Sequence, residues 1–91
     1  MPYGIASFRS RQQVFAFESA LKRSGIRTRI VSTPREVALG CGLSVRFEER
    51  DTNHVMDIYR RAQPGNLIGF YRVEEGARGR GRPMLTPIPL L

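Results

Sequence analysis

The chain is poor in the residues that build cross-linked or metal-held folds. Its 91 residues include one cysteine, Cys41, one histidine, His54, and one lysine, Lys22. A single cysteine excludes an internal disulfide, and a lone thiol suits a reducing compartment. One cysteine and one histidine cannot assemble a zinc site from this chain by itself, and nothing in the sequence asks for another metal or a cofactor. No run of about eighteen apolar residues is present, so no membrane-spanning helix is expected. The start, Met1-Pro2-Tyr3-Gly4-Ile5-Ala6-Ser7-Phe8, lacks the basic opening and long apolar middle of a secretion signal. These absences together make the cytoplasm the expected location.

The sequence is rich in arginine, with fourteen residues that leave a net charge of +7. Such a balance favours anionic partners, whether nucleic acid, an acidic protein surface or small anions. With 41% hydrophobic and 25% charged residues the composition is that of a soluble globular chain, and the length allows one domain.

Residues 4–8 are short and small-residue-rich and read as a first strand with Phe8 inward. Ser10 opens a helix in a Ser10-Arg11-Gln12-Gln13 capping-box pattern. Val14, Phe17 and Leu21 recur at helical spacing and Gly25 closes the helix, which is expected over residues 11–24. Residues 26–32 alternate, with Arg27 and Arg29 on the outward positions, and Pro34 ends this second strand. Residues 43–47, Leu43-Ser44-Val45-Arg46-Phe47, alternate again as a third strand. Asp51 or Thr52 caps a second helix whose inward stripe is Val55, Ile58, Tyr59 and Ala62, ended by Pro64-Gly65-Asn66. Residues 67–73 form a fourth strand, weakened by Gly69.

The order strand, helix, strand, strand, helix, strand predicts an α+β ferredoxin-like βαββαβ sandwich, a four-stranded antiparallel sheet with both helices on one face. Residues 1–73 form this domain. Residues 74–91 are expected to be a flexible tail, with Arg78, Arg80 and Arg82 in a glycine-rich run and a proline-broken apolar end that lies extended on the domain or on a partner. By alternation Arg27, Arg29 and Arg46 project from the sheet face away from the helices, either as a basic binding surface or as scattered solvated charges.

Cys41 stands between Gly40 and Gly42 in the connection between the second and third strands, with one helical turn possible over residues 34–39. Glycine on both sides allows close approach to the sulfur. Arg35 and Arg46 flank it and would favour a thiolate. The competing reading makes Cys41 a small hydrophobe tucked under the loop. His54, in the first turn of the second helix, reads as a surface residue, and Glu36 as a solvated carboxylate beside Arg35.

At Pro34-Arg35-Glu36 and Cys41-Gly42-Leu43, followed by Arg46-Phe47, the chain resembles a small prokaryotic family of selenium/sulfur carrier-like proteins. The resemblance reaches back through Phe8, Ser10, Glu18, Leu21, Lys22 and Gly25-Ile26, and forward to Tyr71-Arg72-Val73, covering residues 4–73. Two features depart from the family. Ala38-Leu39-Gly40 stand where small hydroxyl residues usually precede the cysteine, and the arginine-rich tail is additional. The resemblance implies a carrier that takes sulfur or selenium on Cys41 as a persulfide or perselenide, with Arg35, Gly40, Gly42 and Arg46 forming the partner-facing surroundings. Its donor would be an enzyme such as a cysteine desulfurase and its recipient an acceptor protein.

Two other classes stay open. Ferredoxin-like modules that bind RNA use a positive sheet, here Arg27 and Arg29, with phosphate contacts from Arg78, Arg80 and Arg82. Against this, the third strand lacks the glycine-aromatic signature of such modules. An accessory subunit docking through its tail is the other alternative, and it is compatible with a carrier.

Overall fold

The computed structural model describes residues 1–37, 40–76 and 83–90. The elements are β1 (Tyr3–Phe8), α1 (Arg11–Arg23), β2 (Thr28–Ser32), β3 (Leu43–Glu48), a 3-10 turn (Glu49–Asp51), α2 (Thr52–Ala62), β4 (Leu67–Glu74) and β5 (Met84–Ile88). The five strands form one sheet in the order β2-β3-β1-β4-β5, with every neighbouring pair antiparallel. No helix is long and apolar enough to cross a membrane among the described residues.

The expectation of four strands is corrected by β5, which lies within the segment read as a tail. Its pairing sets Ile88 opposite Phe70 and Leu85 opposite Val73, and Ile88 packs against the core. Pro87 is tolerated because β5 is an edge strand, where one side of the ladder needs no donor. The proline-broken pattern hid this strand, since it rules out a central strand but leaves an edge open. Arg78, Arg80 and Arg82 lie outside the described residues.

β1 sits in the middle of the sheet and is buried from Gly4 to Phe8 on both faces. Toward the helices, Ala6 and Phe8 join Val45, Phe47 and Phe70 from the sheet, Val14, Phe17 and Leu21 from α1, and Val55, Met56 and Ile58 from α2. Phe70 is the hub of the aromatic packing, with ring centres 6.1 Å from Phe17, 6.3 Å from Phe47 and 5.3 Å from Tyr59, all edge to face. That geometry sets the positive rim of one ring against the negative face of the next.

Gly4 and Phe47 are cross-strand partners in β1 and β3. A β-carbon on Gly4 would stand 2.2 Å from the Phe47 ring, so the ring edge takes the space a side chain would need. The helix ends differ from expectation in detail. The Ser10 side chain makes no capping bond, and its carbonyl instead accepts from the Gln13 and Val14 N–H groups. At the other end of α1, Gly25 N–H donates to the Lys22 carbonyl and Ile26 N–H to the Leu21 carbonyl, the double bond of a Schellman motif. This takes Ile26 out of β2 and into the core, where Leu21 is also buried. In α2, Met56 is buried and Ala62 exposed, which shifts the inward stripe from the expected one. Thr52 Oγ1 donates to the Glu49 carbonyl at 2.6 Å, joining the 3-10 turn to the helix.

Two changes test this packing. Gly4→Ala should lower stability by about 1–3 kcal/mol, the usual range for overfilling a packed core. A denaturation midpoint equal to that of the parent chain would contradict the contact. The Thr28 hydroxyl is buried with no hydrogen-bond partner among the described residues, so Thr28→Val should raise stability by about 1 kcal/mol or more. The same denaturation series reads it.

Candidate functional site

The connection from β2 to β3 folds back against the end of β1. Val37 N–H donates to the Pro34 carbonyl at 3.0 Å, closing a turn that carries Arg35 and Glu36 on its exposed corner. Ala38 and Leu39 lie outside the described residues, so the expected helical turn over 34–39 is described only as far as this first bond. Past them, Cys41 N–H donates to the Phe8 carbonyl at 3.3 Å, and Thr33 N–H donates to the Gly42 carbonyl at 2.9 Å. The loop is thus tied to the last residue of β1 and to its own incoming strand.

Both glycines take positive φ, 120° at Gly40 and 88° at Gly42. They do so for different reasons. A β-carbon on Gly40 would fall 2.6 Å from Ile68 Cδ1 and 2.9 Å from the Phe8 carbonyl oxygen, whereas one on Gly42 would meet nothing within 4 Å. Gly40 is required by close approach as well as by backbone conformation; Gly42 is required by conformation alone.

Cys41 is a free, half-buried cysteine between them. Its thiol points to the Leu43 carbonyl at 3.8 Å, and the side chain packs against the edge of the core. The residue therefore combines features of both sequence readings: part of its surface is accessible, and part contributes to packing.

Beneath the loop a chain of hydroxyls links three segments. Ser7 Oγ and Ser44 Oγ are 2.7 Å apart, and Thr33 Oγ1 is 2.7 Å from Ser44 Oγ. Ser7 and Ser44 are paired across β1 and β3 and are both fully buried, on the face away from the helices. Buried hydroxyls are retained only when satisfied, and these satisfy one another. The sequence pattern gave no sign of this network, because Ser44 occupies an outward position in an alternating strand.

Of the two arginines expected to flank the thiol, Arg46 is carried away from it along β3. Arg35 is exposed on the Pro34 turn. Arg46 pairs in register with Ile5, three residues from Phe8 along β1 and so about 10 Å of strand from the loop anchor. Its guanidinium carbon lies 3.8 Å from the ring centre of Tyr3, farther still from Phe8. Arg29 is directly opposite Arg46 across β2 and β3, on the same outer face. Arg46 thus belongs with Arg27, Arg29 and Tyr3 at one end of the sheet, and Cys41 lies at the other. His54 is exposed on α2, away from both groups in sequence.

Comparison with protein families matches residues 3–68 to the family described as "Putative Se/S carrier protein-like", a span that includes the whole Cys41 loop. No curated protein and no solved structure matches the chain.

Gly40→Ala should push the loop from the Phe8 carbonyl and raise the rate of Cys41 alkylation severalfold. Gly42→Ala should cost about 1–2 kcal/mol of stability, the usual penalty of a left-handed backbone for a residue with a β-carbon. Thiol-reagent kinetics on the two variants check both, and equal alkylation rates in Gly40→Ala and the parent would contradict the proposed anchoring.

Proposed function

The chain belongs to the Se/S carrier protein-like family, and from that premise we propose that it carries a sulfur or selenium atom on Cys41 and passes it to a partner protein. The observation that supports this most directly is the position of the one cysteine. It lies within the family match, free and partly accessible, on a loop whose two flanking glycines both take positive φ. The antiparallel order β2-β3-β1-β4 with two intervening helices supports reading residues 1–73 as a ferredoxin-like sandwich, to which β5 is added.

The chemistry asks little of the surrounding protein. The Cys41 thiolate attacks the outer sulfur of a persulfide on the donor. A bond forms between that atom and Cys41 Sγ, the donor's own S–S bond breaks, and the donor cysteine leaves as a thiolate. Electrons balance without an oxidant. Delivery to an acceptor thiolate repeats the exchange and returns Cys41 to its starting state. A perselenide transfers in the same way.

Docking must bring two large surfaces within bonding distance of one sulfur. Among the described residues the half-buried thiol has the Leu43 carbonyl as its one hydrogen-bond partner, and it can leave that site without breaking a helix or a ladder bond. The partners this reading implies are a donor such as a cysteine desulfurase and an acceptor protein, with the C-terminal segment available as a further docking element.

Incubation with a cysteine desulfurase and cysteine should add the mass of one sulfur atom to the peptide containing Cys41. The adduct should be removed by reductant and be absent in Cys41→Ser. Selenocysteine in place of cysteine should add selenium at the same residue. A folded chain that gains neither atom would exclude the carrier role.

A further inference from the structure

The end of the sheet remote from Cys41 carries a groove of about 650 Å³ lined by Tyr3, Arg27, Arg29, Arg46, Arg50 and Glu48, among others. Its volume falls in the range of ligand sites, roughly 300–1,000 Å³. The acidic residues on its wall are already engaged. Glu48 pairs with Arg50 at 2.9 Å, and Glu49 pairs with Arg72. Arg27, Arg29 and Arg46 have no carboxylate partner among the described residues. Arg29 and Arg46 face each other directly across β2 and β3, a like-charge pair that β-sheets ordinarily avoid. Arg46 is held against Tyr3, with its guanidinium carbon 3.8 Å from the ring centre.

We propose that this groove binds single-stranded nucleic acid. Three uncompensated guanidinium groups supply phosphate contacts, and the Arg46–Tyr3 pair supplies a planar, cationic stacking platform of the kind on which unpaired bases rest. An acidic peptide would satisfy the charge but has no use for the platform. A small inorganic anion would leave most of the groove empty. A duplex needs an element that enters one of its grooves, and the open sheet offers none. The site is independent of the thiol, since five residue steps along β1, about 17 Å, separate Tyr3 from the Phe8 anchor.

The test uses the full chain carrying Arg78→Gln, Arg80→Gln and Arg82→Gln, so that those arginines contribute no phosphate contact. Fluorescence anisotropy with a short, labelled, mixed-sequence single-stranded RNA should report binding whose logarithm falls with log salt at a slope of about −2, as expected for three phosphate contacts. Adding Tyr3→Leu should weaken binding at least ~fivefold, the lower end of the loss of one stacked base. Adding Arg27→Gln with Arg29→Gln, both at exposed positions that leave the core intact, should weaken it and flatten the salt dependence. Cys41→Ser should leave it unchanged. The proposal is overturned by absence of binding in the starting chain, by binding that Tyr3→Leu or the Arg27/Arg29 change leaves intact, or by a glutamate-rich peptide that competes as well as RNA.

Discussion

A strand buried on both faces must be narrow, and β1 is narrow wherever the sheet is most crowded. Gly4, Ala6 and Ser7 occupy three of its six positions. The absence of a side chain at Gly4 leaves the space that the Phe47 ring edge takes, and from there the ring reaches Phe70 and the aromatic cluster beneath the helices. On the outer face Ile5 and Val73 are buried without belonging to that main core, so the side away from the helices is only partly a solvated surface. β1 thereby carries the main core on one face and buried Ile5 and Ser7 on the other, and its length sets the distance between the two ends.

Those ends have different chemistry. At the Phe8 end the backbone carbonyl holds the Cys41 loop, a hydroxyl chain locks the first residues of β3 to β1, and the close approach of Gly40 keeps the loop pressed on the sheet. The thiol is held by a weak bond to a neighbouring carbonyl, an arrangement that orders it without committing it. At the Tyr3 end Arg46 of β3 lies over an aromatic ring with Arg29 of β2 beside it, and the nearby carboxylates pair with Arg50 and Arg72. The Arg72 guanidinium is held more firmly protonated than usual by its hydrogen bonds to Glu49 and Glu74, so it serves as a fixed tie from β4 to the 3-10 turn. An arginine cluster thus stands at one end of the sheet and the thiol at the other.

Much of this was legible in the residues, for reasons that can be named. Val14, Phe17 and Leu21 repeat at helical spacing, and α1 forms within one residue of the expected end. Leu43, Val45 and Phe47 alternate, and β3 begins at Leu43 as expected. The glycines flanking Cys41 take the backbone conformations that glycine permits. The failures are equally specific. A Ser10 capping bond was replaced by backbone bonds that need no particular side chain. Ile26 left β2 because a Schellman motif drew it into the core. Pro87 disguised an edge strand. Arg46, near Cys41 in sequence, was carried off by the strand that contains it, because an extended chain moves about 3.3 Å per residue.

The order of residues alone determined the periodicities, the elements they produce, the uniqueness of the thiol and the excess of positive charge, since each depends on neighbours within a few positions. Only the tertiary structure decided which arginines share a surface, what covers the cysteine and whether a serine on an outward position is wet or buried. Those outcomes depend on strand register and sheet order, which bring together residues far apart in the chain and which no local pattern encodes.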